Sequence, residues 1–201
     1  MFIRLYLSAT LLLIITSCQE NVSTGSDADH TIIAIQPFAG IPKDRVLYVV
    51  NQLSKVYPHV VLKQPVQLPR SAYFSGRNRY RADSLIRFLK AKTIQGHTTI
   101  GLTDKDISTT KGSASDWGVM GLGYCPGKAC VVSTFRLSRK EINSQLFKIS
   151  IHELGHTQGL PHCPVKSCFM RDAEGNNHTN EVTEFCANCK QQLIEKGWRL
   201  N

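Results

Sequence analysis

The run His152-Glu153-Leu154-Gly155-His156-Thr157-Gln158-Gly159-Leu160-Pro161-His162 constrains this chain more than any other feature. His152 and His156 stand four apart, so on a helix both imidazoles leave one face and can bind one metal ion. Glu153 lies about 100° around from His152, within reach of a water beside that metal. Gly159 can adopt the left-handed conformation that ends a helix, and Pro161 prevents its continuation. The turn brings His162 back as a third nitrogen ligand. Three protein ligands and one open position are the mark of a catalytic zinc rather than a structural one. Zinc lowers the pKa of water towards ~7, and a carboxylate such as Glu153 then serves as general base when the water attacks a peptide carbonyl.

The helix carrying this run is predicted to start at Ser138, where Ser138-Arg139-Lys140-Glu141 fits a capping box, and to reach Thr157 or Gln158. Ile142, Leu146 and Ile149 share a face with His152, Glu153 and His156, while Phe147, Ile151 and Leu154 lie opposite. A helix apolar on two sides is a central one, packed between layers. Upstream, strands are predicted at 31–36, 60–62 and 98–102, with helices at 42–57 and 81–92 between them. This alternation argues for α/β architecture. Residues 64–79 and 103–116 read as polar loops. Two further strands, 117–124 and 129–135, flank a Pro126-Gly127 turn, and a last helix is predicted at 190–197.

The chain has 201 residues and a formal net charge of +9. The basic residues are scattered, with no basic stripe interleaved with aromatics, so nucleic acid is not an expected partner. Residues 1–17 are expected to be removed as a signal peptide, since Arg4 precedes an apolar stretch, Leu5 to Ile15, too short to span a bilayer. Ile15-Thr16-Ser17-Cys18 resembles the lipobox of bacterial lipoproteins, which implies lipidation of Cys18. Residues 18–30 then read as a flexible tether with a reach of roughly 20 Å. The expected location is the cell envelope, with a lipid anchor as the only membrane contact. Residues 31–201 are expected to form one catalytic domain, 31–159 and 160–201 being its two subdomains, and to act as a monomer.

The pattern H-E-x-x-H-x-x-G-x-x-H is similar to that of the metzincin zinc metallopeptidases. Cys163 follows the third histidine, then Cys168, Phe169, Met170 and Cys186-Ala187-Asn188-Cys189. This arrangement resembles the archaemetzincin (archaelysin) family over roughly residues 30–200. The resemblance implies a zincin-like metzincin fold of α/β (α+β) class. Its mixed, mostly parallel sheet would be backed by helices around a central active-site helix. A small C-terminal subdomain would carry the Met-turn, with Met170 as a hydrophobic floor beneath the metal. Cys163, Cys168, Cys186 and Cys189 would hold a second, structural zinc. Their spacing supports this on its own, because a C-x4-C pair and a C-x2-C pair can close a tetrahedral thiolate site. Two disulfides are the alternative in an oxidising compartment.

Cys125 and Cys130 flank the Pro126-Gly127 turn, and a local disulfide is expected there, with two free thiols as the alternative. Residues Trp117 to Gly123 are the expected edge strand for an extended peptide or protein substrate. Trp117 is a candidate pocket residue, and His178 a weaker candidate for holding the oxyanion, since a lone loop histidine is ordinarily solvated. Against peptide hydrolysis stand two other readings. One is a zinc-dependent peptide-binding lipoprotein of the same fold with little or no catalysis, for which Glu153 would be superfluous. The other is a thiol redox protein using Cys186 and Cys189, which lacks the βαβ context such a motif needs.

Overall fold

A computed structural model describes residues 31–200; the signal segment, Cys18 and the tether lie outside the described residues. Five strands form the main sheet in the order β2 (Val60–Leu62), β1 (Ile32–Pro37), β5 (His97–Thr103), β9 (Ala129–Ser133), β8 (Gly121–Gly123). Four of them run parallel, and β8 pairs antiparallel to β9 at the edge. The central strands are buried on both faces, as a near-continuous apolar run demands. Their alternate side chains serve two cores. Ile33, Ile35, Ile100, Leu102 and Val132 face α1 (Lys43–Val56) and α3 (Ile142–Thr157). Ala129 and Val131 face Leu85, Ile86 and Leu89 of α2 (Ala82–Ala91). Gly101 lets α2 sit directly on the sheet, since a Cβ there would stand 2.7 Å from Leu89 Cδ1. The helices at 42–57 and 81–92 and the three early strands thus form within a residue or two of their predicted bounds.

The two segments read as loops hold a second sheet, ordered β3 (Tyr73–Phe74), β4 (Arg79–Arg81), β6 (Ile107–Lys111), β7 (Ala114–Val119). Charge rather than apolar alternation knits it together. Asp116 draws Arg79 at 3.1 Å and Arg77 at 3.5 Å, and Arg81 Nη2 donates to Thr110 Oγ1 at 2.8 Å. Strands held this way carry no period-two apolar pattern for a sequence reading to find. The stretch 117–123 is accordingly not one edge strand. It passes from β7 in one sheet to β8 in the other, turning at Met120.

The active-site helix begins three residues later than the capping box predicts. Its N-cap is Glu141, with no side-chain cap bond. Ser138 N–H donates to Gln145 Oε1 at 2.9 Å instead, so residues 138–141 form a turn that is pinned onto the helix. The last helix, α4 (Ala187–Ile194), likewise starts earlier than predicted, and Cys186 is its N-cap. Beyond Gly159 the chain has little regular structure other than α4, yet Leu160, Met170, Phe185, Leu193 and Trp198 join the core beneath α1 and α3. Trp198 packs on Tyr57 with ring centres 5.2 Å apart, and Arg199 N–H donates to Val56 O at 2.8 Å. These contacts return the C-terminal segment to the first helix. No helix among the described residues is long and apolar enough to cross a membrane.

Candidate active site

Helix α3 ends as its glycine predicts. Gly159 has φ 95°, its N–H donates to His156 O at 2.9 Å, and Leu160 N–H donates to Gly155 O at 3.0 Å. This is a Schellman closure. It reverses the chain so that His162 faces His152 and His156, and one nitrogen from each of the three lies within 4.8 Å of the others. Each ring is held through its Nδ1. His152 Nδ1 bonds to Phe169 O at 2.6 Å, His156 Nδ1 to Leu160 O at 2.8 Å, and His162 Nδ1 lies 3.3 Å from Asp172 Oδ2. The carbonyl acceptors keep the proton on Nδ1 of His152 and His156 and leave their Nε2 atoms as lone pairs.

His152 Nε2 and His156 Nε2 are 3.1 Å apart. With both Nδ1 atoms donating, no proton lies between these nitrogens. Two lone pairs that close need a cation. Ligands at Zn–N distances of ~2.0–2.1 Å and tetrahedral angles would stand roughly 3.3 Å apart. The donor set therefore fits zinc. Burial, then the charge of His156, pushes the His152 pKa down to about 4, and burial also lowers that of His156. Both rings are thus neutral, metal-binding imidazoles at ordinary pH.

Glu153 is buried beneath the edge of the main sheet. A Cβ on Gly121 would stand 2.5 Å from Glu153 Oε1, and one on Gly123 would stand 3.2 Å from Oε2. Burial pushes the Glu153 pKa up to about 8, against the Gly123 N–H that donates to its carboxylate. The histidines and Glu153 open onto one cleft of about 630 Å³, between α3, the strands β7 and β8, and the loop 171–179.

Behind the turn, the sulfurs of Cys163, Cys168, Cys186 and Cys189 all lie within 4.8 Å of one another. Cys163 Sγ and Cys186 Sγ are 3.6 Å apart, beyond any disulfide bond and close to the roughly 3.8 Å edge of a zinc–thiolate tetrahedron. Cys168 Sγ accepts N–H groups from Cys186 at 3.3 Å and Met170 at 3.4 Å, the partners a thiolate requires. Although burial works against it, the Cys189 N–H and the neighbouring thiols bring the Cys186 pKa down to about 7, while burial drives that of Cys189 up. This set too fits zinc. Met170 joins the two clusters. Its N–H meets Cys168, its carbonyl accepts Cys163 N–H at 2.8 Å, and its sulfur lies where a Cβ on Gly155 of α3 would be.

The model of peptidase family M54 matches residues 42–195. The chain belongs to that family. It is 30% identical over 176 residues to the archaemetzincin of Halobacterium salinarum, covering 81% of this chain and 99% of that one. It is 33% identical over 144 residues to the archaemetzincin of Natronomonas pharaonis, covering 65% and 79%. The crystal structure of archaemetzincin from Methanopyrus kandleri matches with TM-score 0.72 and 28% identity, over 85% of this chain and 97% of that chain. That of Archaeoglobus fulgidus, complexed with malonate, matches with TM-score 0.70 and 28% identity, over 81% and 99%. The chain is thus a zinc metallopeptidase of the M54 family, with the expected mixed α/β fold.

Within this M54 fold several side chains stand differently from expectation. The disulfide expected between Cys125 and Cys130 is not formed, and both are free thiols. Cys130 lies in β9 opposite Gly123 and is fully buried, whereas Cys125 is exposed in the turn beyond the end of β8. Trp117 lines the cleft from β7, 41% exposed, with Lys111 Nζ 5.5 Å above its ring. His178 also lines the cleft. It is not a solvated loop residue, since Nδ1 bonds Glu181 Oε1 at 2.8 Å and Nε2 is buried without a hydrogen-bond partner among the described residues. Sequence reasoning missed Asp172 as the partner of His162 and the two glycines against Glu153. The Gly121-Leu122-Gly123 alternation in a strand was the available signal, because glycine there marks a close approach by another group.

Proposed function

We propose that the chain hydrolyses peptide bonds, with His152, His156 and His162 holding a catalytic zinc and Glu153 acting as general base. One observation carries this reading: His152 and His156, fixed through Nδ1, bring their Nε2 atoms together with a ring nitrogen of His162 beside a buried carboxylate. A zinc ion held there would polarise a peptide carbonyl and lower the pKa of water towards ~7. Glu153 takes the proton from the attacking water on its carboxylate and passes it to the leaving amine. The Glu153 carboxylate is held for this at the edge of the main sheet, against Gly121 and Gly123. An extended peptide adds to the free edge of β8.

The four cysteines hold a second, structural zinc that ties α4 to the active-site turn. Cys18 anchors the enzyme to the cell envelope by lipid, and Cys18→Ala is expected to release it from the membrane fraction into the soluble one. The test of the peptidase reading is cleavage of a broad peptide library by the chain as purified, after chelation, and after reloading with zinc. Cleavage that disappears and returns with zinc supports the reading. A zinc-loaded chain that binds peptides but cleaves none overturns it in favour of a binding protein.

A further inference from the structure

We propose that Lys148 is a specificity-determining residue that selects a carboxylate on the peptide substrate; this rests on the peptidase reading above. Lys148 precedes His152 by four residues on α3, so it lies one turn away on the same face and lines the same cleft. It is half-buried, and its ammonium donates to Thr179 O at 2.7 Å. Thr179 is itself buried, so the amine is held in place at the cleft wall. One of its three N–H groups is thereby used, and two remain to donate.

The two arginines of the cleft already have carboxylates. Arg136 donates to both oxygens of Asp106 at 2.9 Å, and Arg171 reaches Glu181 Oε2 at 2.6 Å. Lys111 lies over Trp117 and within the field of Asp172. Lys148 has no carboxylate partner among the described residues. Gln145 Oε1 accepts from Asn177 at 3.1 Å and Gln145 Nε2 donates to Asn180 at 3.2 Å, which holds the loop carrying Thr179 against α3. A half-buried lysine bonded to a neutral carbonyl and to no carboxylate leaves its charge unpaired, and a substrate carboxylate supplies the missing partner with a charge-assisted hydrogen bond. Because the amine is already positioned, little side-chain ordering is lost when that bond forms. The carboxylate can come from an aspartate or glutamate side chain near the cleaved bond or from the peptide's own C-terminus.

The test uses the zinc-loaded chain and matched peptides carrying Glu or Gln at each position around the cleaved bond, each with a free or amidated C-terminus. Cleavage is measured as kcat/KM. Peptide binding to the Glu153→Gln variant is measured in parallel by fluorescence anisotropy, so a chain that cleaves nothing still reports its preference. A Glu over Gln advantage of about tenfold or more is expected in both readouts. Dependence on an internal Glu identifies a side-chain carboxylate, and dependence on the free terminus identifies the chain end. The advantage falls to about onefold in Lys148→Gln, partly survives in Lys148→Arg and reverses towards lysine-containing peptides in Lys148→Glu. Zinc content and thermal unfolding verify that each variant is folded. Equal treatment of Glu and Gln, free acid and amide, by the wild type overturns the proposal, as does an advantage that persists in Lys148→Gln. Binding preference without cleavage would sink the peptidase reading while leaving the role of Lys148 intact.

Discussion

Gly121 lies directly against the carboxylate of Glu153, where a Cβ would stand 2.5 Å from Oε1 and 2.7 Å from Cγ. The edge strand and the Glu153 side chain are therefore fitted to each other, and the missing side chain at residue 121 sets where the carboxylate rests. Gly121→Ala is expected to displace Glu153 without touching the histidines. The variant keeps its zinc and loses on the order of 100-fold in kcat/KM, as a displacement near 1 Å would cause. Full activity in the alanine variant would show that the contact does not position the base.

Met170 fills the space beneath Gly155 and is fully buried. Met170→Ala is expected to cost about 2–5 kcal/mol in denaturant unfolding, the range for truncating a core side chain of this size. Gly155→Ala is expected to destabilise by overpacking in the wild type, and to do so less in the Met170→Ala background, where the sulfur is gone. Equal costs in the two backgrounds would separate the residues energetically.

Protons report the state of the site before zinc enters. Glu153, pushed up to about 8, carries a proton at pH 7 in the metal-free fold. A zinc dication nearby favours the carboxylate, so uptake at pH 7 should release about one proton more from wild type than from Glu153→Gln. Calorimetry in two buffers of different ionisation enthalpy measures the difference. Identical release would place the Glu153 proton elsewhere.

The lowered pKa of His152 should cost the metal-free fold stability in acid. His152 has its folded pKa lowered to about 4, so between its unfolded value near 6.5 and about 4 the unfolded chain binds the extra proton. Stability from this group is fully present above about 6.5 and is lost as pH falls towards 4. Glu153, raised to about 8, works in the opposite sense over the same range, so the test is the difference between two chains. As pH falls from about 6.5 to about 4, urea midpoints of the metal-free wild type should drop relative to those of His152→Ala. A slope unchanged by the substitution would remove His152 as its cause.

Metal counting separates the two clusters. Wild type is expected to carry about two zinc ions per chain. Cys168→Ser should drop this to about one and lower the thermal midpoint, because Cys168 accepts two backbone N–H groups as well as any metal. His162→Ala should also drop it to about one but leave the midpoint closer to wild type, since His162 is exposed. A wild-type content near one that Cys168→Ser leaves unchanged would mean the thiols hold no metal.

The central part of this site is legible in sequence because its chemistry is local. The one-face placement of His152 and His156, the neighbouring Glu153 and the Gly159 reversal all follow from helical geometry and one left-handed residue. The buried strands β1 and β5 are legible for a related reason, since burial on both faces leaves a continuous apolar run. Strands β6 and β7 are not, because their pairing depends on partners distant in sequence, such as Arg79 with Asp116. Ser138 looks like a helix cap only until the side chain of Gln145, seven residues on, claims its N–H. Asp172 and Lys148 carry no local signature. Their roles arise when the loop after Met170 folds back over α3.

The most direct measurement compares kcat/KM for peptide cleavage by wild type and Glu153→Gln at equal, verified zinc content. The substituted amide keeps the shape of the side chain and loses its ability to take a proton. The predicted result is a fall of about 100- to 10,000-fold, the usual contribution of a positioned general base. A Glu153→Gln chain that holds its zinc and cleaves as fast as wild type would contradict the account.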